Sequence, residues 1–159
     1  MIEVRPLTDP ELARADAALP LHRLGQPRSE YLVAWDGAEP VGHVCVEWSD
    51  PPELQDLWVL PQRRSGGVGS ALVAAVEAAV AAHGGTRLRL TVGVGNRGAI
   101  RLYRRLGYRR TRRKPQPIHG TILLRGTALE VDDTLLEYAK SVRREEDGGG
   151  AMLPRARRR

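Results

Sequence analysis

The chain contains no phenylalanine, one cysteine, two methionines and two lysines among 159 residues. A single cysteine excludes an internal disulfide framework and suits a reducing compartment, so a cytoplasmic protein is expected. Cys45 lies between Val44 and Val46 and reads as a small buried hydrophobe, not a nucleophile. Neither H-x-x-x-H nor C-x-x-C spacing occurs and the four histidines are scattered, so no metal site is expected. The G-x-S-x-G turn of many hydrolases is absent as well. Long apolar runs are also missing. The longest, Ala71 to Ala82, is mostly alanine, contains Glu77 and is too short to cross a bilayer. The first residues lack the apolar core of a signal peptide, so no membrane partner is expected.

Acidic residues are missing from two stretches. None follows Asp147, where Arg155, Arg157, Arg158 and Arg159 crowd the end of the chain. Without those four the balance is 21 basic against 19 acidic residues, so most of the formal charge of +6 belongs to the tail. Between Arg101 and Lys114 there are eight basic residues and no acidic one. Such a run reads as a solvated face, an attractor for an anionic ligand or a nucleic-acid surface. It overlaps the Asn96–Tyr108 segment, which favours the anionic ligand, and nucleic acid is the less expected partner. Arginine supplies 23 of the 25 basic residues beside abundant alanine and glycine, a compositional bias that weakens any argument from arginine number alone.

What is present describes one globular domain, 42% hydrophobic and large enough for an ordinary core. Residues 1–143 are expected to form it, with 144–159 a disordered basic tail. The pattern predicts a strand over Ile2–Pro6, a helix capped at Thr8 and running to about Leu19, and a Pro/Gly-punctuated segment to Ser29. Tyr31–Trp35 and Val41–Trp48, joined at Asp36-Gly37, read as an antiparallel hairpin. After the break at Ser49–Pro52 come a strand over Leu54–Leu60 and a helix over Val68–Ala82, whose Val68, Leu72, Val76 and Val80 form one apolar stripe. His83-Gly84-Gly85 ends that helix. A strand over Leu88–Val94, a helix over Asn96–Leu106 and a strand over Tyr108–Arg112 follow. Arg113–Gly120, with two prolines, reads as a loop, Thr121–Leu124 as a short strand and Thr134–Val142 as the last one. The class is α/β with a mixed sheet.

Between the strand at Leu54–Leu60 and the helix at Val68 lie Arg64, Ser65, Gly66, Gly67 and Gly69. Glycines at such a junction let backbone amides approach a ligand closely, and the free N–H groups of the helix start favour a phosphate. The Walker lysine and the third glycine of the dinucleotide fingerprint are both missing. What remains is R-x-x-G-x-G at Arg64, Gly67 and Gly69. Downstream, after one helix and one strand, comes N-x-x-A-x-x-L-Y-x-x-L-G-Y, from Asn96 through Ala99, Leu102, Tyr103, Leu106 and Gly107 to Tyr108. Asn96 is a good helix cap and Gly107 a good terminator.

These two motifs, in this order, resemble the cofactor site of the GNAT N-acetyltransferase superfamily, most clearly over Leu54–Tyr108. The resemblance implies a mostly antiparallel mixed sheet, flanked by helices, whose central parallel pair, Leu54–Leu60 and Leu88–Val94, splays apart. It implies acetyl-CoA as acyl donor, with the pyrophosphate on the amides from Arg64 through Ser65, Gly66, Gly67, Val68 and Gly69 to Ser70. Pantetheine would run along Trp58, Val59 and Leu60, with an N–H near Val59 facing the thioester oxygen, and Asn96, Ala99 and Tyr103 would complete the site. Tyr103 would protonate the leaving thiolate. The base is open among Glu53, Asp56, Glu47, His43, His119 and water, and each carboxylate also reads as a salt-bridge partner. Some family members carry glutamate where this chain has Gln55. A regular strand would put Glu53, Gln55 and Leu57 on one face and Asp56 with Trp58 on the other. Tyr31, Trp35, Trp48, Glu47, Asp50 and Glu53 are candidates to line a cleft for a cationic acceptor.

The expected reaction is therefore direct acetyl transfer to a primary amine of a small molecule or peptide, by a chain that also has room for a homodimer. The alternative is a non-catalytic acyl-CoA-binding regulatory module of the same fold.

Overall fold

The computed structural model describes residues 1–143; the expected basic tail lies outside the described residues. Strand β1 (Ile2–Pro6) pairs antiparallel with β2 (Ser29–Asp36), which pairs with β3 (Glu39–Glu47), which pairs with β4 (Glu53–Val59). Helix α1 (Leu12–Ala18) links β1 to β2 and is entered through a 3-10 turn at Asp9–Glu11. Thr8 does not cap that turn: its hydroxyl donates instead to the Glu11 carboxylate at 2.6 Å. Then follow α2 (Val68–Ala82), β5 (Arg87–Gly93), α3 (Arg97–Arg105), β6 (Arg109–Arg110), β7 (Gln116–Leu124) and β8 (Thr127–Ser141). The sheet order is β1-β2-β3-β4-β5-β8-β6, with β7 paired to β8. The expected mixed α/β class is the observed one.

Both faces of the central strands are covered, so β2 and β3 are apolar almost throughout. Leu32, Ala34, Val41, Val44 and Val46 pack against Val68, Leu72, Val73, Val76 and Val80 of α2. On the opposite face Tyr31, Val33, Trp35 and Cys45 meet Ala15 of α1 with Leu19 and Leu21. Leu72, fully buried, touches the heart of the larger cluster. Leu72→Ala should therefore cost about 2–5 kcal/mol, read as a fall in the denaturant midpoint with unchanged slope.

Among the described residues the only parallel pairing is short: Glu53 opposes Arg89 and Leu54 opposes Leu90. Beyond that point β4 leaves β5, while β5 stays paired to β8 over its whole length, Arg87–Gly93. A gap thus opens between the C-terminal halves of two adjacent parallel strands.

The last third departs from the sequence reading. The stretch Arg113–Gly120, expected as a loop, gives its second half to β7, and β8 begins at Thr127 rather than Thr134. Pro117 is accommodated because, among the described residues, β7 pairs with β8 alone and an edge strand tolerates a missing donor. The turn is Arg125-Gly126, both at positive φ (53° and 79°), a two-residue hairpin connection without the usual Asn-Gly signature. The expected strand Tyr108–Arg112 shrinks to the two residues of β6, because β8 turns to β7 farther along.

Candidate active site

Strand β4 is not regular. Its register with β3 moves from His43 opposite Trp58 to Cys45 opposite Gln55, so Asp56 and Leu57 together face the single residue Val44. Asp56 takes the bulge at φ 50°, a conformation that aspartate tolerates better than most residues. The extra residue resets the alternation. Leu57 and Val59 turn to the α2 side, while Gln55, Asp56 and Trp58 all lie on the α1 side. The expected grouping of Leu57 with Glu53 and Gln55 is corrected accordingly.

Past the bulge, Leu60 N–H donates to Val41 O at 2.9 Å, so even-numbered residues of this stretch address β3. Leu57 and Val59 consequently turn their backbone groups to the gap. The Val59 carbonyl accepts from Arg64 Nε at 2.9 Å, and the Arg64 guanidinium lies 5.6 Å from the Trp58 ring centre. Above this edge the chain crosses into α2 through Ser65 and Gly67, both left-handed at φ 65° and 85°. Gly67 is the residue preceding α2, and a Cβ there would meet nothing within 4 Å. The free amides of the helix start are therefore unscreened. Gly69 serves differently: a Cβ would lie 3.5 Å from Leu102 and 4.0 Å from Val59, so it sets the approach of α2 to α3 and β4.

The other wall is α3. Asn96 caps it, its side chain accepting from Ala99 N–H at 3.2 Å. Tyr103 is the buried residue of this helix, edge-on to Tyr108 at 5.8 Å, and burial pushes its phenol pKa well up.

The acetyltransferase (GNAT) family profile matches residues 2–108. The chain belongs to that family. Over 97 residues it is 35% identical to the mycothiol acetyltransferase of Corynebacterium glutamicum, covering 55% of this chain and 33% of that protein. The GNAT chain thus spans about a third of the length of that relative. Among solved structures, the ribosomal-protein-S18-alanine N-acetyltransferase of Escherichia coli superposes with TM-score 0.70 at 15% identity, covering 90% of this chain and 95% of that one. A GNAT family acetyltransferase from Elizabethkingia anophelis with acetyl-CoA bound gives TM-score 0.68 at 19% identity, covering 89% and 98%. At these identities the structures speak for the fold. No helix among the described residues is long and apolar enough to cross a membrane.

On the α1 side of β4 the GNAT chain gathers a polar cluster. Tyr31 Oη donates to Asp56 Oδ2 at 2.6 Å and accepts from Arg23 N–H at 2.7 Å. His43 Nδ1 lies 3.8 Å from the same carboxylate oxygen, and His22 Nδ1 lies 3.6 Å from Oδ1. The His43 ring packs between Tyr31, at 5.4 Å edge-on, and Trp58, at 6.0 Å stacked. It is fully buried, and neither ring nitrogen has a hydrogen-bond partner. Burial holds its pKa below the ordinary value, against the opposing pull of Asp56 and nearby backbone. Beside this set, Gln26 Nε2 donates to Ser29 Oγ, Glu47 Oε2 and Gln55 Oε1, and Gln55 Nε2 donates to Glu47. No group of three metal-ligating side chains is found among the described residues.

The other candidates are placed elsewhere. Glu53 is ion-paired to Arg89 at 2.8 Å, and Arg89 is further held by Ser49 Oγ and Pro51 O. His119 is exposed on β7. Trp35 is buried below Arg5, and Trp48 stacks on His83 at 4.1 Å, so neither joins the cluster. Tyr31 does join it, and His22 was not anticipated. No periodicity or spacing relates residues 22, 31, 43 and 56; the pairing of three strands gathers 31, 43 and 56, and the turn after α1 adds 22.

His43 has a consequence for stability. Its folded pKa lies below the ordinary 6.5, so under acid the unfolded chain binds the proton that the folded chain refuses. Stability then rises with pH and levels off above the unfolded value. The melting temperature should fall between pH 7 and pH 5, and His43→Leu should flatten that dependence.

Proposed function

We propose that this GNAT-family chain transfers an acetyl group from acetyl-CoA directly to a primary amine of a small molecule or peptide, with both substrates bound together. The observation that carries this reading is the gap itself. On the α2 side it offers free helix-start amides and the backbone edge of Leu57 and Val59; on the α1 side of the same strand stands the Asp56 carboxylate.

The residues suit the donor. The amides from Ser65 to Ser70 would hold the pyrophosphate, the Arg64 amide being engaged by Pro61 O at 3.4 Å, and pantetheine can add to the β4 edge as a further strand. Binding there requires Arg64 to release the Val59 carbonyl. Asn96 and Ala99 open the opposite wall. The Val59 N–H stabilises charge building on the thioester oxygen. Asp56 removes a proton from the acceptor ammonium, directly or through one water, and Tyr103 hands its proton to the departing sulfur. The raised pKa of Tyr103 keeps that proton in place throughout the neutral range. Glu53 is the weaker candidate base, since its charge is already committed to Arg89. The carboxylates of Glu47 and Asp56 favour a cationic acceptor.

Thermal unfolding with acetyl-CoA, CoA and NAD at matched concentrations tests the donor. At about 100 times Kd the specific ligand adds roughly 2.7 kcal/mol, or some 5–10 °C for a domain of this size. Acetyl-CoA and CoA should give that shift and NAD should not. Equal shifts, or none, would reject the acyl-CoA site. Thiol release with a panel of amines then separates the enzyme from a binding module that shows a shift but no turnover.

A further inference from the structure

Resting on that function, the proton balance of the transfer points to a residue outside the gap. The acceptor enters as R–NH3+ and leaves as an amide, while the sulfur leaves as a thiol. The sum is R–NH3+ + acetyl-S-CoA → R–NH-acetyl + HS-CoA + H+. Of the two protons lost by nitrogen, one replaces the proton that Tyr103 gives to sulfur. The other, collected by Asp56, must reach solvent on every turnover.

Three side chains face the Asp56 carboxylate, one from β2, one from β3 and one from the turn after α1. Tyr31 is not an outlet. It already donates its own proton to Oδ2, its oxygen is engaged by Arg23 N–H, and burial raises its pKa. His43 is no outlet either. Its side chain is 0% exposed, neither ring nitrogen has a hydrogen-bond partner, and burial disfavours its charged form. His22 differs on both counts. Its Nδ1 faces the free oxygen, Oδ1, at 3.6 Å, and its side chain is 50% exposed. Imidazole is also the side chain suited to taking up and releasing a proton near neutrality.

The turn carrying His22 is held in place. His22 N–H donates to Pro20 O at 2.8 Å. From the tip of the β7–β8 hairpin, Arg125 donates to Leu21 O at 3.3 Å and to both Asp16 oxygens at 2.6 and 3.0 Å. The neighbouring Arg23 side chain is turned away onto Gln26. Of these three side chains, His22 is the one that reaches both the carboxylate and water.

We propose that His22 relays the proton from Asp56 to solvent. It acts through Asp56 and does not contact the acceptor, so removing it should slow turnover without weakening either substrate. The test uses the full chain, acetyl-CoA and the fastest of spermidine, tryptamine, kanamycin and a short alanine-terminated peptide, followed by thiol release in dilute buffer. His22→Ala and His22→Gln are expected to lower kcat by roughly tenfold or more with little change in either KM. Added imidazole at constant pH and ionic strength should restore much of the rate in His22→Ala, leave wild type unaffected and fail to restore Asp56→Asn. A merely structural histidine would not respond to imidazole. Wild-type kcat in both His22 variants, or a loss that imidazole does not repair, would overturn the relay and leave the acetyltransferase reading standing. A wild-type chain that acetylates none of the four amines would overturn that reading and the relay with it.

Discussion

Tyr103→Phe is expected to lower kcat for acetyl transfer by about 10²–10³-fold while leaving the KM for acetyl-CoA nearly unchanged. The substitution removes one oxygen and keeps a ring that packs edge-on to Tyr108 in the core, so the fold should persist. A group that gives its proton only as the sulfur departs contributes to the transition state and not to ground-state binding. Unchanged melting with a collapsed kcat is therefore the signature. The direction of the pKa shift sharpens it. An acid works while protonated, and burial raises the Tyr103 pKa, so its loss of function should appear only at pH values above the ordinary tyrosine range. A kcat within twofold of wild type would reduce Tyr103 to a packing residue.

Asp56→Asn is expected to cost about 10²-fold in kcat/KM at pH 7, with the deficit shrinking as pH rises. Asparagine is the informative choice. It is isosteric, still accepts from Tyr31, and tolerates the left-handed φ of 50° that the bulge imposes. The backbone and the neighbouring hydrogen bond are thus retained while the basic oxygen is lost. At high pH the acceptor arrives already neutral and has less need of a base, so recovery there distinguishes a proton acceptor from a scaffold. The comparison is Glu53→Gln, which breaks the half-buried pair with Arg89 and should register in melting temperature more than in kcat. A pH-independent deficit in Asp56→Asn would assign that residue to structure; a larger kcat effect at Glu53 would move the base there.

Much of the glycine loop and its flanking helices was legible in sequence because their requirements are local. A glycine before a helix, an asparagine that caps and an apolar stripe on α2 each act within one or two turns of chain. Gly67 at φ 85°, Asn96 capping Ala99 and the buried Leu72, Val76 and Val80 correspond to those readings. The polar cluster around Asp56 was not legible, because one inserted residue decides it. The bulge at Asp56 leaves no mark in the pattern E-L-Q-D-L-W-V, yet it moves Leu57 to one face and sets Asp56 beside Gln55 on the other. The β7–β8 hairpin was hidden for a related reason: its turn is Arg-Gly and its first strand carries a proline that only an edge position permits.

The sequence by itself determined the order of elements, the glycine-rich entry to α2 and the family, because helix periodicity, caps and left-handed glycines are encoded by near neighbours. The tertiary structure alone decided where the carboxylates stand. Glu53 fell opposite Arg89 through the short parallel pairing of β4 with β5, and its charge is paired there. Asp56 was turned by a bulge toward Tyr31, His43 and His22, residues drawn from two other strands and a turn. Strand register is a cooperative property of the whole sheet, so which acid is ion-paired and which joins the polar cluster could not be read from any one segment.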